Sequence, residues 1–414
     1  MVKLNKKQVS EAIFSLLTEK DGLNDVFKMT LEGLMKVERQ EVVSVDCSNK
    51  CNGYRSKNSI GFGNGFKLSI PRDRLGIFQP YMLELLKEDE NRIKDACFEL
   101  YSKGLTTKDV GNIIEKLYGK SYSESSITNI TKGFYGIMEQ WRNRSLESNW
   151  AVIYIDAIFV KVRRDTVESE AFYVLLGLKD DMTREVLGIY NYPTERATNW
   201  VDIFKNLIDR GLKQINLMVS DGLTGIENAL KQVFPKTPLQ TCIVHYQRNI
   251  MKEVRPKDKE EFGIDLREIF NPNRSDDTPE KAKIRLKEKA QKWQKIYPKL
   301  SNKMAYDADY KLILFEYMKY DYTVRPMIYT TNWIERLNKS FRKTLKVRGS
   351  LPSVESALVL LTKVAIDVGN STYSYKISNF KNEPKLFIFE HKKNKYTFAT
   401  PKNETTAIIC TEVL

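Results

Sequence analysis

The chain has 414 residues, of which 42% are hydrophobic and 29% charged, a composition that excludes a wholly disordered or low-complexity protein and indicates several globular domains. Lys and Arg outnumber Asp and Glu by 67 to 53, and the net charge of +14 favours a polyanion such as nucleic acid as the partner. The five scattered cysteines and only two histidines argue against a disulfide framework and against a multi-histidine metal site.

Residues 1–90 have a mixed pattern that predicts a small subdomain with strands. Helical periodicity over residues 8–18 and 31–37 gives way to a glycine-rich stretch at 53–66. An extended run follows from Lys67 to Pro80, and its prolines exclude a helix interior.

Residues 91–147 predict a helical, helix-turn-helix DNA-binding domain. A helix over 93–103 is followed by a second one that begins at Thr106 or Thr107, and by a third that is capped by Ser123 and continues to Trp141. A small polar face on the third helix is expected to contact DNA, and an ordinary helical bundle is the alternative. This face consists of Ser125, Ser126, Thr128, Asn129 and Lys132.

Residues 148–247 change to an α/β pattern. Strands are predicted at 149–163, 170–181, 184–195 and 215–222, with a last strand around Cys242, and helices at 197–212 and 223–234. Three consecutive strands followed by helical crossovers fit a mixed sheet of the ribonuclease-H-like type. We therefore expect these residues to form the first part of a catalytic domain.

The rest of the chain is predicted to be mainly helical. Residues 248–328 lack strand signals and are interpreted as a helical insertion domain, after which residues 329–370 supply the last helices of the catalytic domain. The tail at 371–414 alternates aromatic residues with lysines, which indicates a hairpin.

Three acids are candidates for a metal-dependent active site. Asp156 interrupts the apolar first strand, where a charge is costly unless it is paired, hydrated or metal-bound. Asp221 ends the fourth strand, at the carboxyl edge where open α/β sheets place their sites. Because those two strands are neighbours in a ribonuclease-H-like order, their carboxylates should face each other. Glu335, at the start of a helix capped by Thr331 or Asn332, would complete a cage for two Mg²⁺ or Mn²⁺ ions.

The helix predicted at 330–349 carries a run of positive charge. At 100° per residue, four of its cations share the face of Glu335, and no acid follows Glu335 until Glu355. Such a face suits a phosphate backbone, and a solvated basic face is the alternative. The cations are Arg336, Lys339, Arg342, Lys343, Lys346 and Arg348.

Three segments resemble the Mutator-type bacterial insertion-sequence transposases: KLSIPRDRLGIFQP, SDGLTGIENALKQVFPKTPLQTCIVHYQRNI and TTNWIERLNKSFRKTLKVRGSLPS. The resemblance covers roughly residues 53–376. It implies that Asp156, Asp221 and Glu335 are the catalytic acids of a DDE site, with an insertion between the second and the third. The spacings agree, 65 residues in the first interval and 114 in the second. Trp333 is bulkier than the small residue expected there.

Other reactive side chains have less specific patterns. Cys242 and His245 match the Cys-x-x-His of the same family, which implies support of the active site or contact with an unpaired base near the cut. A buried thiol with a core histidine is the alternative, because two ligands do not make a tetrahedral zinc site. Cys47 and Cys51 would need distant partners to bind zinc. Trp293 suits either base stacking or core packing.

The sequence therefore predicts a DNA transposase that binds the terminal inverted repeats of an insertion sequence and cuts and joins double-stranded DNA. Water and then a freed 3′-hydroxyl would be the nucleophiles. Synapsis of two ends predicts a homodimer or higher oligomer. A related nuclease or integrase, and a non-catalytic DNA-binding regulator derived from a transposase, are the alternatives. The lack of a long apolar run and the charged start predict a cytoplasmic, nucleoid-associated protein without membrane contact.

Overall fold

A computed structural model of the chain describes residues 6–18, 22–45, 48–61, 64–118, 122–163, 165–192 and 197–377. They belong to two compact units, Met1–Gly136 and Ile137–Leu414. Cys47 and the hairpin predicted in the tail lie outside the described residues. Across the described ranges, no helix has the length and apolar character needed to cross a membrane.

The first unit combines helices with a two-stranded antiparallel hairpin. Leu31 and Met35 pack against Leu68 and Ile70 of the hairpin, and Leu83 completes this small core. The strand expected in the extended run from Lys67 to Pro80 is therefore present only as far as Asp73. The elements are α1 (Lys6–Thr18), α2 (Gly22–Val45), β1 (Cys51–Gly61), β2 (Asn64–Asp73), α3 (Met82–Ser102), α4 (Thr107–Tyr118) and α5 (Glu124–Gly133).

The third helix of the predicted DNA-binding region is divided in two. α5 ends at Gly133, the N–H of Phe134 donates to the carbonyl of Thr131 in a tight turn, and α6 (Tyr135–Asn143) follows. The prediction that one apolar stripe continues to Trp141 is therefore wrong beyond the turn, because the turn changes the helical register. Ile137 is 49% exposed, and Met138 takes the buried position instead.

The second unit is built on a five-stranded mixed sheet with the order β5-β4-β3-β6-β7. The first three strands in sequence pair antiparallel, whereas β6 pairs parallel with β3 and β7 with β6. The expected adjacency of the first and fourth strands is confirmed, with Ile155 opposite Ser220. The strands are β3 (Asn149–Arg163), β4 (Val167–Leu178), β5 (Arg184–Asn191), β6 (Gln214–Ser220) and β7 (Leu239–Thr241).

Helices cover both faces of this sheet, which explains why the first half of β3 is buried on both sides. On one face Ile153 and Ile155 pack with Phe204 and Leu230. On the other face lie the last two long helices. The helices of this unit are α7 (Ala197–Asp209), α8 (Ile226–Val233), α9 (Ile243–Lys252), α10 (Lys259–Ile269), α11 (Pro279–Trp293), α12 (Pro298–Tyr310), α13 (Arg325–Ile328), α14 (Asn332–Arg348) and α15 (Val354–Val368).

The strand predicted around Cys242 is shorter than expected. β7 ends at Thr241, and Cys242 is already the N-cap residue of α9. Ile243, Tyr246 and Ile250 explain the difference, because they form the buried stripe of a helix although the local run is β-branched. Cys242 is thereby held at the carboxyl edge of the sheet, beside the end of β6.

The region predicted as a helical insertion, residues 248–328, contains α-helices and 3₁₀ turns and no strand in the structure. Trp293 belongs to its core: the indole packs against Phe262, with ring centroids 5.0 Å apart, and its Nε1 donates to Asp265. Only 3% of Trp293 is exposed. Core packing is therefore the correct interpretation of this tryptophan, and a base-stacking role is excluded in this conformation.

Candidate active site at the carboxyl edge of the sheet

Asp156 is a buried carboxylate in the middle of β3. The N–H of Ala157 donates to its Oδ1 at 2.8 Å, and Nδ2 of Asn338 donates to its Oδ2 at 2.6 Å. Asn338 lies on α14 and is completely buried. These two hydrogen bonds fix the carboxylate, although burial raises its pKa.

Asp221 follows β6 directly, and its carboxyl group lies within hydrogen-bonding reach of that of Asp156. Burial, with repulsion by Asp156 as the next cause, raises the pKa of Asp221 to about 7. Its Oδ1 is buried and accepts no hydrogen bond from the described residues. A close carboxylate pair with an unpartnered oxygen is suited to a divalent cation that prefers oxygen ligands.

Glu335 lies in the first turn of α14 and carries a partly exposed carboxylate. Its Oε1 accepts from Oγ1 of Thr331 at 3.3 Å and is 3.6 Å from Nε2 of His245 and 3.8 Å from Nη1 of Arg248. Thr331 precedes the helix, but its hydroxyl binds this carboxylate instead of capping the helix. The third acid is thus turned toward α9.

The arrangement of the three acids is only partly the one expected. Asp156 and Asp221 meet, whereas no set of three or more His, Cys, Asp or Glu side chains in the described ranges has the spacing of a metal site. His245 joins the acids electrostatically, because its imidazole interacts with Asp156, Asp221 and Glu335. The acids therefore share one electrostatic site, although their oxygens do not surround one point.

Cys242 and His245 form a hydrogen-bonded network with Thr331. The N–H of Thr331 donates to Sγ of Cys242 at 3.4 Å, and its Oγ1 lies 3.3 Å from the same Sγ and 3.5 Å from Nδ1 of His245. Burial acts to raise the pKa of the Cys242 thiol, but hydrogen bonds to His245 and Thr331 outweigh it and the pKa is lowered. The hydrogen bond with Cys242, together with the nearby acids, raises the pKa of His245. These two residues of the sequence pattern therefore lie beside Glu335.

Two residues of this site were missed by the sequence analysis, Asn338 and Arg248. Asn338 occupies an apolar position of α14, between Ile334, Leu337 and Phe341, all of which are buried. A polar residue within an apolar stripe was the available signal, because such a residue requires a buried partner. No comparable signal marks Arg248 among the many exposed cations of the chain.

The basic face predicted on α14 is exposed for the most part. Five of its cations are exposed and form no ion pair with a described acid, whereas Arg348 is half-buried. The half-buried Trp333 lies between cations, with the guanidinium groups of Arg184 and Arg336 at 4.8 and 5.2 Å from its ring. The exposed five are Arg336, Lys339, Arg342, Lys343 and Lys346.

The polar face predicted on α5 is present in the first unit. Oγ of Ser123 caps the helix by accepting from the N–H of Ser126 at 3.1 Å. Ser126 and Thr128 are half-buried and their hydroxyls bind locally, to Ser123 and to the carbonyl of Glu124. The remaining members are exposed: Ser125, Asn129 and Lys132.

Comparison with known proteins shows the family to which this chain is similar. The family described as "Transposase, Mutator family" matches residues 2–374. The chain is 30% identical over 364 residues to the transposase of insertion sequence element IS1201 from Lactobacillus helveticus, covering 84% of this chain and 95% of that protein. It is 33% identical over 351 residues to a probable transposase for an ISRM3-like element from Sinorhizobium fredii, covering 83% and 86%.

A third relative is similar over a somewhat larger share of the chain. The transposase of IS256 in transposon Tn4001 from Staphylococcus aureus is 27% identical over 377 residues, covering 88% of this chain and 94% of that protein. The match spans both structural units and nearly the full length of each relative. The chain therefore belongs to the Mutator family of transposases.

Proposed function

We propose that this protein is a DDE transposase that binds the terminal inverted repeats of an insertion sequence and cleaves and joins DNA strands with two Mg²⁺ or Mn²⁺ ions. The observation that carries the proposal is the meeting of Asp156 and Asp221 at the carboxyl edge of the sheet, with a buried and unpartnered oxygen on Asp221. Such a pair is electrostatically unfavourable by itself, and a divalent cation would relieve the repulsion.

The sheet supports a ribonuclease-H-like assignment. Three antiparallel strands, a fourth strand parallel to the first and a fifth strand beyond it are the order expected for that fold. A helical region separates β7 from α14, so that Glu335 returns to the sheet only after a long excursion. This agrees with an insertion between the second and third acids.

Asp156, Asp221 and Glu335 would hold the metal ions. When bound, the ions activate a water or a 3′-hydroxyl and stabilise the leaving oxygen of a phosphodiester in an in-line displacement. The chain positions the ligands: Asn338 orients Oδ2 of Asp156, and Thr331 and His245 hold the carboxylate of Glu335. Proposed support of the site by Cys242 and His245 thus takes the form of orienting the third acid.

DNA binding is proposed for two helices, one in each structural unit. The exposed cations of α14 begin one residue after Glu335 and suit the phosphate backbone near the cut. The exposed side chains of α5 suit recognition of the terminal repeats. Since each chain supplies one carboxylate site, joining two ends would require at least a homodimer.

A cleavage assay tests the proposal. Labelled duplexes carrying the terminal repeats that flank the reading frame are incubated with the protein in Mg²⁺, in Mn²⁺ or in a chelator. We expect cleavage at the repeat end in either metal and none in the chelator. A protein that binds these duplexes but cleaves them under no condition would instead be a transposase-derived regulator.

A further inference from the structure

A cavity of about 280 Å³ opens at the carboxyl edge of the sheet, beside Asp221 but on the other face from Asp156. Asp156 points to α14, whereas the cavity is lined by the ends of β6 and β7, the loop at 222–225 and the first turn of α8. The cavity is also lined by Tyr246, Lys311, Ile313 and Leu314. None of the contacts described for the carboxylate site involves this cavity.

Two buried hydroxyl groups at the cavity have no hydrogen-bond partner among the described residues. Ser220 and Thr241 are register partners on β6 and β7 and line the cavity together. Strand alternation places their side chains on the face of Met218 and Leu239, beneath α8. Oγ of Ser220 and Oγ1 of Thr241 are both buried and unpartnered, and Ser220 is 0% exposed. Buried hydroxyls usually have a partner, and two unpartnered ones on the wall of the same cavity leave that cavity with free hydrogen-bonding groups.

The first turn of α8 adds further donors. The helix begins after Gly225, which has a φ of 80° and provides no side-chain cap. Its first N–H groups therefore lack the usual side-chain acceptor, and a helix N-terminus favours negative charge. The loop before it is held in place, because Nε1 of Trp200 donates to the carbonyl of Thr224 at 3.1 Å.

We propose that this cavity binds a backbone phosphate of the DNA substrate, beside the phosphate held for reaction at Asp156 and Asp221. The inference rests on the proposed function and adds a second phosphate site to it. Phosphate oxygens only accept hydrogen bonds, and the cavity offers two unpartnered hydroxyls and the first N–H groups of a helix, which can donate. A DNA strand that crosses the carboxyl edge of the sheet would pass from the face of Asp156 to the face on which the cavity opens.

The charges at the rim determine how strongly the site attracts a phosphate. Lys311 lines the cavity and supplies a cation, although its Nζ is paired with Asp307 at 3.0 Å. Glu227 is also at the rim and opposes an anion, but its carboxylate is paired with Lys231 at 2.7 Å. We therefore expect Glu227→Gln to tighten DNA binding at this site.

The test combines two substitutions with modified DNA. Ser220→Ala and Thr241→Val remove the hydroxyls, and because these groups lack partners, the double variant is expected to melt no lower than the wild type. Binding is measured on duplexes carrying the terminal repeats, in which each phosphate near the cleavage position is replaced in turn by a neutral methylphosphonate. At one position the wild type should lose about tenfold in affinity, the size of one charge-assisted hydrogen bond. At that position the double variant should lose clearly less, because only the N–H groups of α8 and Lys311 remain to contact the phosphate.

Ser301→Ala with Thr362→Val is the matched control, because these hydroxyls are also buried and unpartnered but lie away from the cavity. The control should respond to every methylphosphonate as the wild type does. Equal losses for wild type and double variant at all positions would overturn the proposal. So would stabilisation of the wild type alone by inorganic phosphate without any positional effect on DNA, which would indicate a free-anion site. Absence of both binding and cleavage of unmodified duplex would overturn the proposed function as well.

Discussion

The side-chain amide of Asn338 donates a 2.6 Å hydrogen bond to Oδ2 of Asp156 and connects α14 to the central strand β3 across 182 residues of sequence. Asn338 lies three positions after Glu335 on the same helix, so this bond also limits where the first turn of α14 can lie relative to Asp156. Its own Oδ1 is buried and has no partner in the described part of the chain. The bond therefore ties the helix of the third acid to the strand of the first.

Substitution of the acids tests the metal site directly. Asp156→Asn, Asp221→Asn and Glu335→Gln should each abolish Mg²⁺-dependent cleavage and leave binding of the terminal repeats nearly unchanged, because amides are poor ligands for Mg²⁺ and keep the side-chain shape. Cleavage and gel-shift assays on the same duplexes measure both effects. Asp202→Asn, an exposed position on α7, is the control. Normal cleavage by any of the three variants would remove that acid from the site.

Asn338→Ala should lower cleavage about 10- to 100-fold, as loss of a residue that orients a metal ligand typically does. Because Asp156 would be oriented less well, a higher Mg²⁺ concentration should be needed for half-maximal rate. Asn338→Gln, which keeps the amide, should recover part of the activity. If cleavage falls only in proportion to the amount of folded protein and the Mg²⁺ dependence is unchanged, Asn338 contributes to packing and does not position the metal ligand.

The carboxylate pair predicts a pH-dependent stability of the metal-free protein. The pKa of Asp221 is raised from 3.8 to about 7, so that between these pH values the folded state binds more protons than the unfolded state. Stability is therefore lost as the pH rises through this window. In a chelator, Asp221→Asn should raise the melting temperature, and by more at pH 8 than at pH 5.

Metal addition provides the complementary measurement at pH 8. Mg²⁺ should raise the melting temperature of the wild type, because it binds only the folded state, and should have little effect on Asp221→Asn. The carboxylate-pair explanation would be contradicted if Mg²⁺ stabilised both proteins equally. It would also be contradicted if the substitution raised the melting temperature by the same amount at every pH.

The basic face of α14 predicts a change in the salt dependence of DNA binding. Arg342→Ala combined with Lys346→Ala should weaken binding, and the slope of log affinity against log salt should become shallower by about 2, one unit for each lost phosphate contact. Lys295→Ala with Lys299→Ala removes two exposed cations of the insertion and should leave the slope closer to that of the wild type. An unchanged slope in the first variant would indicate a solvated face.

Local sequence determined many of the elements of this protein. Alternation and β-branched residues predicted β3, β4, β5 and β6, and the cap at Ser123 marked the start of α5. Strand alternation and helix caps depend on residues that are close in sequence, so a local sequence pattern is enough to predict them. The same argument selected Asp156, since an acid within an apolar strand is noticeable without any structure.

Local sequence was insufficient to predict the secondary structure where two conformations compete. The stripe through residues 127–141 suited one helix, but the turn at Phe134 divides it. The β-branched run at Cys242 suited a strand, but its apolar side chains are better buried as the stripe of α9. In both places tertiary packing selected the conformation, because burial contributes more than intrinsic propensity.

Only the tertiary structure decided how the acids and their partners are arranged. The meeting of Asp156 and Asp221, the bond from Asn338 and the turn of Glu335 toward His245 join residues from distant parts of the chain. Strand order predicted the first of these contacts, because the parallel pairing of β3 with β6 places Asp156 beside the end of β6. The others depend on the rotation and depth at which α14 and α9 pack on the sheet, and side-chain packing between distant segments sets both quantities.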